Sequence, residues 1–152
     1  MAESQNGDSQ YGSDALDRIV ARLQRAESAR RRYEYVLWLS KGLPPLTDET
    51  RNTAVKVKGC VSQVLVGGQL RNDRMYWQGY SDALITKGLL ALLIGGLEGL
   101  TSGEVQAISP SFITDTGLEG SLTPSRANGF LNIFHTMQTI AAQQASVNSS
   151  AS

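Results

Sequence analysis

Cys60, the only cysteine of the 152-residue chain, is the residue best suited to carry chemistry. It directly follows Gly59 and comes before a strand-like run that includes Val64. A cysteine thiolate is a strong nucleophile that needs no cofactor, and its pKa and exposure determine whether it reacts. Because glycine permits unusual backbone angles, the pattern favours a thiol at a loop tip. The alternative is that Cys60 is simply a small buried hydrophobic residue.

The other residue types restrict what this thiol could take part in. An iron–sulfur cluster normally needs four thiolates and a structural zinc site four Cys or His ligands, whereas the chain offers only Cys60 and His135. His135 falls off the apolar stripe of the last predicted helix, so we interpret it as a surface residue. Cysteine-protease chemistry needs an oriented histidine, and no GxGxxG or P-loop pattern predicts a nucleotide site. We therefore expect no metal and no cofactor.

Four short motifs follow one another in an order that resembles a known family. Over roughly residues 14–145 the chain is similar to the SufE family, the sulfur acceptors that work with cysteine desulfurases. The motifs are Leu43-Pro44-Pro45-Leu46, Gly59-Cys60-x-Ser62-Gln63-Val64, Ser81-Asp82-Ala83 with Lys87-Gly88-Leu89, and Leu122-Thr123-Pro124-Ser125-Arg126 with Gly129.

The resemblance implies a sulfur-transfer function for Cys60. Its thiolate would take the terminal sulfur of a persulfide from a SufS-like cysteine desulfurase, stimulate that enzyme, and pass the sulfur to an iron–sulfur scaffold. The chain would then be an accessory protein rather than a stand-alone enzyme. Thiol exchange of this kind needs an accessible thiolate and an attacked sulfur, and it needs no second cysteine.

The resemblance also points to five residues that support the thiol. Two alternatives stay open for each of the charged ones. Asp82 either lies near the Cys60 loop or only caps the following helix. Arg126 either holds the loop or stabilises its thiolate by charge, or it forms a structural salt bridge. The five supporting residues are Gly59, Ser62, Gln63, Asp82 and Arg126.

Two other classes of function remain open. A thiol-redox protein, such as a one-cysteine peroxidase, would use an activated Cys60, although the Thr-x-x-Cys pattern is missing because Val57 stands three residues before it. A non-catalytic binding module would bury Cys60 as a structural residue. Persulfide formation on Cys60 by a desulfurase would distinguish these two classes from a sulfur acceptor.

Composition is typical of one soluble domain. Hydrophobic residues make up 41% and charged residues 18%, with a formal net charge of zero. Residues 14–58 carry ten Lys/Arg and six Asp/Glu, whereas residues 75–126 carry two and five, an asymmetry that could orient a partner. Arg30–Arg32 form a basic patch, but no aromatic residue is interleaved for base stacking, so we do not expect a nucleic acid partner.

We expect a domain at residues 14–146 between disordered tails at residues 1–13 and 147–152. The first thirteen residues are polar and do not resemble a signal peptide. The apolar run Leu89–Leu97 is far shorter than the roughly 20 residues of a membrane span, so no membrane association is expected. A lone cysteine suits a reducing compartment. The cytoplasm is the expected location, with a plastid or mitochondrial matrix as the alternative for a mature chain.

The hydrophobic periodicity predicts an α+β fold with a small antiparallel three-stranded sheet packed against several helices, which agrees with the SufE/IscU-like fold that the resemblance implies. Strands are predicted at residues 55–58, 62–70 and 75–80, with residues 47–53 irregular. Helices are predicted from an N-cap at Asp14, at residues 27–40, and at residues 83–94 with a cap at Ser81 or Asp82 and an end at Gly95-Gly96.

Three further helices are predicted in the second half of the chain. Thr101 and Glu104 match a capping box, and Ser109-Pro110 has the character of an N-cap followed by a first helical position. The last helix starts at Thr123-Pro124. Its apolar residues recur at helical spacing and predict a core stripe of Phe130, Ile133, Phe134, Met137, Ile140 and Ala141.

Overall fold

Three antiparallel strands in the order β1–β2–β3 form one sheet, as the sequence predicts. A computed structural model describes the backbone of residues 9–151 and the side chains of residues 9–147. Strands β2 and β3 meet in a tight hairpin, where Asn72 and Asp73 have φ of 51° and 66°, the positive angles that a type I′ turn requires. The strands are β1 (Val55–Lys56), β2 (Val64–Arg71) and β3 (Arg74–Ser81).

The described residues also form seven α-helices, which confirms the α+β class. Three come before the sheet and four after it. Short 3₁₀ turns lie at Ser40–Gly42 and Leu118–Gly120. The helices are α1 (Asp14–Gln24), α2 (Ala29–Leu39), α3 (Asp48–Arg51), α4 (Leu84–Leu97), α5 (Ser102–Ala107), α6 (Ser111–Asp115) and α7 (Pro124–Ala151).

Helix α4 lies at the centre of the core and contacts α1, α2, β3 and α7. It is apolar around nearly its whole circumference, as expected for a helix covered on all sides. A Cβ at Gly88 would overlap the carbonyl oxygen of Val36, so glycine lets α2 pack directly against the α4 backbone. The predicted core stripe of α7 is confirmed, because all six of its residues are buried.

Several predicted helix ends are wrong because neighbouring residues compete for the same role. Ser13, not Asp14, is the N-cap of α1: its hydroxyl accepts the Leu16 N–H and donates to the Gly96 carbonyl. Neither Ser81 nor Asp82 caps α4, whose N-cap is Ala83 without a side-chain hydrogen bond.

Glycine and proline positions account for two further differences. Helix α4 does not end at Gly95-Gly96 but continues to Leu97, which is fully buried. Burial therefore outweighs the weak helix propensity of the glycines. Helix α6 has Pro110 at its N-cap and begins one residue later than predicted, with the Ser109 hydroxyl accepting the Ser111 N–H. The capping box of Thr101 and Glu104 is confirmed.

The first half of the chain differs from the prediction in smaller ways. Helix α2 is shorter than residues 27–40, because Ser28 caps its start and a 3₁₀ turn begins at Ser40. The predicted irregular segment 47–53 contains α3, one turn of helix that Thr47 caps. Strand β1 spans two residues rather than four, although the Val57 N–H still bonds to the Val64 carbonyl at 2.9 Å.

Parts of the two predicted tails fall within the described residues. Before α1, the Tyr11 N–H donates to Asp17 and the Tyr11 hydroxyl donates to Asp115 at 2.7 Å. At the other end, α7 continues to Ala151. Residues 1–8 and 152 of the predicted tails lie outside the described residues. Between residues 9 and 151, no helix has both the length and the apolar character to cross a membrane.

Candidate functional site

Cys60 lies on the loop between β1 and β2, which folds against the first turns of α7. Its side chain is half-buried and packs beside the main core. The Sγ thiol donates to the backbone carbonyl oxygen of Gly129 over 3.7 Å. The thiol is therefore held against helix α7 rather than displayed at an open loop tip.

Glycine and asparagine make this close approach possible. Gly59 has φ of +78°, in the left-handed region that favours glycine. Its carbonyl accepts a hydrogen bond from the Asn132 amide at 3.1 Å, and a Cβ at Gly59 would come within 2.5 Å of that same amide nitrogen. On α7, a Cβ at Gly129 would lie 3.4 Å from the Cys60 sulfur. Gly59 thus lets the loop approach the helix, whereas a Cβ at Gly129 would lie in van der Waals contact with the sulfur.

Asp82 fastens the other end of the loop. Its carboxylate accepts the Gln63 N–H at 3.0 Å, while its own N–H donates to the Gln63 carbonyl at 3.3 Å. The two residues therefore exchange a pair of hydrogen bonds between the start of β2 and the end of β3. Of the two alternatives for Asp82, the structure shows the contact with the loop and not the helix cap.

Arg126 reaches the loop through an intermediate residue. Its guanidinium donates to the Thr86 hydroxyl at 2.6 Å, and Thr86 in turn donates to the Ser62 hydroxyl at 3.3 Å. Thr86, in the middle of this chain of hydrogen bonds, is buried with 4% of its surface exposed, whereas Ser62 and Arg126 are partly exposed. Arg126 is thus linked to the Cys60 loop by hydrogen bonds, and no carboxylate of the described residues pairs with it.

Burial raises the pKa of the Cys60 thiol above its usual value, because desolvation disfavours the charged thiolate. The carbonyl of Gly129 accepts a hydrogen bond from the thiol, and only the protonated thiol can donate this bond. In this conformation Cys60 is a poorly activated nucleophile. A change in its surroundings that lowers the pKa of the thiol would raise its reactivity near neutral pH.

The structure brings together all the residues that the sequence motifs singled out around Cys60. Gly59, Ser62 and Gln63 form the loop itself, and Asp82 and Arg126 reach it from β3 and α7. Their roles in a reaction stay predictions. His135 is exposed on α7, as predicted, although it lines a shallow recess with Lys58 and Asn132 beside the loop.

Two residues that help to hold the Cys60 loop were not predicted from the sequence. Thr86 looked like an ordinary helical residue, and its buried position on α4 depends on how α4 packs against α7. Asn132 could have been noticed, because a polar residue follows Gly129 at i+3 on the same face of the last helix. Neither residue is recognisable from the local motif around Cys60.

Metal binding has no support from the described residues. Within them, no three His, Cys, Asp or Glu side chains cluster closely enough to hold an ion. The polar group that Cys60 contacts is instead the backbone carbonyl of Gly129. The arrangement suits a thiol that is stored protonated and used only when the loop changes.

Comparison with known proteins agrees with these observations. Residues 17–141 match the family model described as SufE, an Fe-S metabolism associated domain. A SufE-like protein of Synechocystis is 52% identical over 124 residues, which cover 82% of this chain and 78% of that protein. The sulfur acceptor protein CsdE of Escherichia coli is 38% identical over 100 residues, or 64% of this chain and 68% of CsdE.

Longer relatives and a solved structure complete the comparison. The cysteine desulfuration protein SufE of Plasmodium vivax is 36% identical over 71% of this chain, which spans 44% of that protein. The solution structure of a hypothetical protein from Thermus thermophilus has the same fold, with a TM-score of 0.78 at 20% identity over 88% of this chain and 98% of that one. The match over residues 17–141 and the identity to these relatives show that the chain belongs to the SufE family.

Proposed function

We propose that the protein accepts sulfur from a cysteine desulfurase on Cys60 and delivers it for iron–sulfur cluster assembly. The observation that carries the proposal is the Cys60 loop. In this loop a single cysteine is held against α7 by contacts that little free energy is needed to break. The names of the relatives, cysteine desulfuration protein and sulfur acceptor protein, support the same activity.

The reaction is a thiol exchange whose atoms balance without a cofactor. The Cys60 thiolate attacks the terminal sulfur of a persulfide on the desulfurase and forms a new S–S bond. The S–S bond of the desulfurase breaks, and its cysteine leaves as a thiolate. Cys60 then carries the transferred sulfur as a persulfide, which a thiol of the iron–sulfur scaffold attacks in the next step.

The loop protects the thiol between these events. A permanently exposed thiolate is open to oxidation and to exchange with small thiols. Packing against Gly129 and desolvation keep Cys60 protonated in the free protein. Docking of the desulfurase would favour a conformation in which the loop leaves α7, by as much as the desulfurase prefers that state.

The surface beside the thiol is suited to a protein partner. Val61, next to Cys60, is 70% exposed, and Leu84, two residues after the Asp82 that binds the loop, is 59% exposed. Exposed large apolar side chains near a functional residue are features of interaction sites. The desulfurase would cover this surface and exclude competing thiols during transfer.

The raised pKa of Cys60 argues against peroxidase chemistry in the free protein. A peroxide-reducing cysteine needs a stabilised thiolate, whereas burial favours the neutral thiol here. A sulfur acceptor does not share this requirement, because its partner can activate the thiol on docking. The setting we propose is the cytoplasm or the aqueous matrix of an organelle.

The test of this function is stimulation of a cysteine desulfurase. Wild-type protein should increase the rate of sulfide release from cysteine in the presence of a reductant. The Cys60→Ser variant should keep the fold, by circular dichroism, and lose the whole increase. Full stimulation by a folded Cys60→Ser variant would show that Cys60 is not the acceptor.

A further inference from the structure

A shallow recess beside the Cys60 loop has no role in the proposed transfer chemistry. It has a volume of about 280 Å³ and lies between the β1 end of the sheet and one face of α7. That face consists of positions 132, 135, 136 and 139, which follow helical spacing next to the buried core stripe. We call it the basic recess, after Lys56, Lys58 and His135, which line it together with Val55 and Asn132.

The charged residues of the basic recess are both lysines. Lys56 and Lys58 are exposed, and of the described residues that line the recess none is Asp or Glu. Among residues 9–147, the ion pairs join Glu34 to Arg30 and to Arg31, so neither lysine is paired with a carboxylate. The recess thus carries a positive charge that its own lining does not compensate, which favours a negatively charged group.

Hydrogen-bond donors extend this preference to α7. The Asn132 amide carries two hydrogens and donates one of them to the Gly59 carbonyl. The imidazole of His135 has no hydrogen-bond partner within the part of the chain that the structure describes. The Thr136 and Thr139 hydroxyls, in contrast, already donate to backbone carbonyls one turn earlier, at 2.8 and 3.1 Å. The remaining donors are N–H and ammonium groups, which are the groups that bind a carboxylate most strongly.

The basic recess and the thiol belong to one continuous surface. Lys58 stands two residues before Cys60, so their Cα atoms lie within about 7 Å of each other. Asn132 connects the two regions, because it lines the recess and also holds the Gly59 carbonyl. A stable interface buries about 800 Å² on each partner, which corresponds to a patch of about 16 Å radius. A patch of this size around Cys60 includes Lys58 and the recess beside it.

The state of the thiol indicates which partner meets the basic recess. In this structure Cys60 is an unmodified thiol that packs against Gly129. Within the proposed function, the cysteine desulfurase docks on this unloaded form, whereas the sulfur recipient docks on the persulfide. The recess is already formed, with both lysines exposed, while the thiol is unloaded. It is therefore available to the desulfurase at first contact.

We propose that the basic recess binds carboxylate side chains of the cysteine desulfurase that donates sulfur to Cys60. This inference rests on the proposed function, because it names the same partner and adds the chemistry of the segment that docks beside the thiol. Charged groups at the edge of an interface mainly accelerate association and fix the orientation of the partner. The carboxylates thus guide the approach of the desulfurase, and Val55, which is 39% exposed, adds an apolar contact.

The experiment measures the association and dissociation rates of the full chain with a cysteine desulfurase, without cysteine, so that no sulfur is transferred. Lys56→Glu combined with Lys58→Glu should slow association by about 20-fold at low salt. The effect should fall to about threefold or less at high salt, because ions screen the charges. The pair Lys56→Arg and Lys58→Arg keeps both charges and should associate at the wild-type rate.

The matched control makes the same change of charge on another surface. Arg18 and Arg25 are exposed on α1, which contacts α4 and α6, and within residues 9–147 neither arginine makes an ion pair. Arg18→Glu combined with Arg25→Glu should slow association by no more than about twofold. Equal slowing by the two glutamate pairs would show that overall charge, and not the basic recess, attracts the desulfurase, and would overturn the inference.

Cross-linking tests the contact itself. A carbodiimide joins a lysine amine to a carboxylate that touches it, and it does not join a guanidinium. Mass spectrometry of the digested complex should find Lys56 or Lys58 linked to an acidic peptide of the desulfurase. The link should be absent from the arginine pair, although that pair still binds. Cross-links that involve only Lys41 or Lys87 would contradict the inference.

The remaining outcomes distinguish this inference from the proposed function. If wild-type Cys60 acquires no sulfur from an active desulfurase, the proposed function fails and this inference fails with it. If wild-type Cys60 acquires sulfur but the glutamate pair at Lys56 and Lys58 associates within twofold of wild type at low salt, only this inference is overturned. Normal association with the desulfurase and slower sulfur delivery to the recipient would also overturn it, and would assign the basic recess to the recipient.

Discussion

Helix α4 makes two contacts of opposite character within one turn. At Gly88 it packs against the backbone of α2 so closely that no Cβ fits between them. At Thr86 it contacts the Cys60 loop through hydroxyl groups, with Arg126 completing the chain of hydrogen bonds. The first contact is apolar and buried, whereas the second belongs to a loop whose other anchors are exposed to water.

The difference explains how one small domain can be rigid and still move its thiol. The energy of a close-packed contact rises steeply when volume is added to it. The α2–α4 contact therefore has one arrangement. Water can replace a hydrogen bond at small net cost, about 1 kcal/mol, so the loop can leave α7 without disturbing the core. The anchors of the loop are polar at Asp82, Asn132 and Ser62, whereas Val57 at its start is buried in the core and the half-buried thiol packs against the core.

Adding a methyl group at the α2–α4 contact should have the largest effect, and this effect is on stability. Gly88→Ala should lower the free energy of unfolding by about 3 kcal/mol or more, because the new methyl group overlaps the Val36 carbonyl and the backbone must move. Gly95→Ala, in the same helix, is the control: its Cβ would meet only Ile19 at 3.9 Å, so it should be neutral or stabilising by up to about 1 kcal/mol. Urea unfolding measures both. Equal stability of the two variants would contradict the packing described for Gly88.

Weakening an anchor of the loop should expose the thiol while lowering the free energy of unfolding by no more than about 1 kcal/mol. Asp82→Ala removes the acceptor of the Gln63 N–H and should accelerate alkylation of Cys60 by iodoacetamide about fivefold, the equivalent of about 1 kcal/mol. Asp82→Asn keeps an oxygen acceptor at this position and should react at close to the wild-type rate. An alkylation rate for Asp82→Ala that equals wild type would mean that Asp82 does not hold the loop closed.

Weakening the second exposed anchor, Asn132, should also expose the Cys60 thiol, but to a smaller extent. Asn132→Ala removes the donor to the Gly59 carbonyl, and we expect alkylation of Cys60 to become about twofold to threefold faster. Asn128→Ala provides the comparison, because Asn128 lies one turn earlier on α7, within a different recess. Slower labelling in Asn132→Ala than in Asn128→Ala would contradict the proposed closure.

The smallest effect should be the pH dependence of stability that the partly buried thiol contributes. Because burial raises the pKa of Cys60 in the folded state, the folded protein keeps its proton to a higher pH than the unfolded chain. Stability should therefore be full below the thiol pKa of the unfolded chain and fall as pH rises through the pKa of the folded state. The measurement is the free energy of unfolding of wild type minus that of Cys60→Ser, from about pH 7.5 to pH 10. A difference that grows more favourable with pH would mean that the thiolate, not the thiol, is stabilised.

The sequence predicts the apolar contacts of the core better than the polar contacts of the Cys60 loop. Alternation in β2 and β3 and the apolar stripe from Phe130 to Ala141 follow from periodicity, since each has one face to bury. Gly88 stood within a family motif, but its contact with Val36 depends on the crossing of two helices. That crossing cannot be obtained from either segment alone.

The polar contacts were only partly predictable because they join distant segments. The resemblance singled out Asp82 and Arg126 but left open whether they touch the loop or only cap and pair locally. Thr86 was missed because its role depends on Arg126, 40 residues along the chain. Ser13 and Asp14 show the same limit at short range, since both are good N-caps and tertiary contact with Gly96 selects the serine.

The most direct test of the sulfur-acceptor function is the mass of the peptide that contains Cys60 after incubation with a cysteine desulfurase and cysteine. Excess alkylating reagent traps the products before digestion, and a sample treated with peroxide instead of the desulfurase serves for comparison. We predict that the desulfurase adds one sulfur atom to Cys60 and that peroxide oxidises Cys60 more slowly. Unmodified Cys60 with an active desulfurase, or oxidation by peroxide at a rate equal to sulfur transfer, would contradict this function.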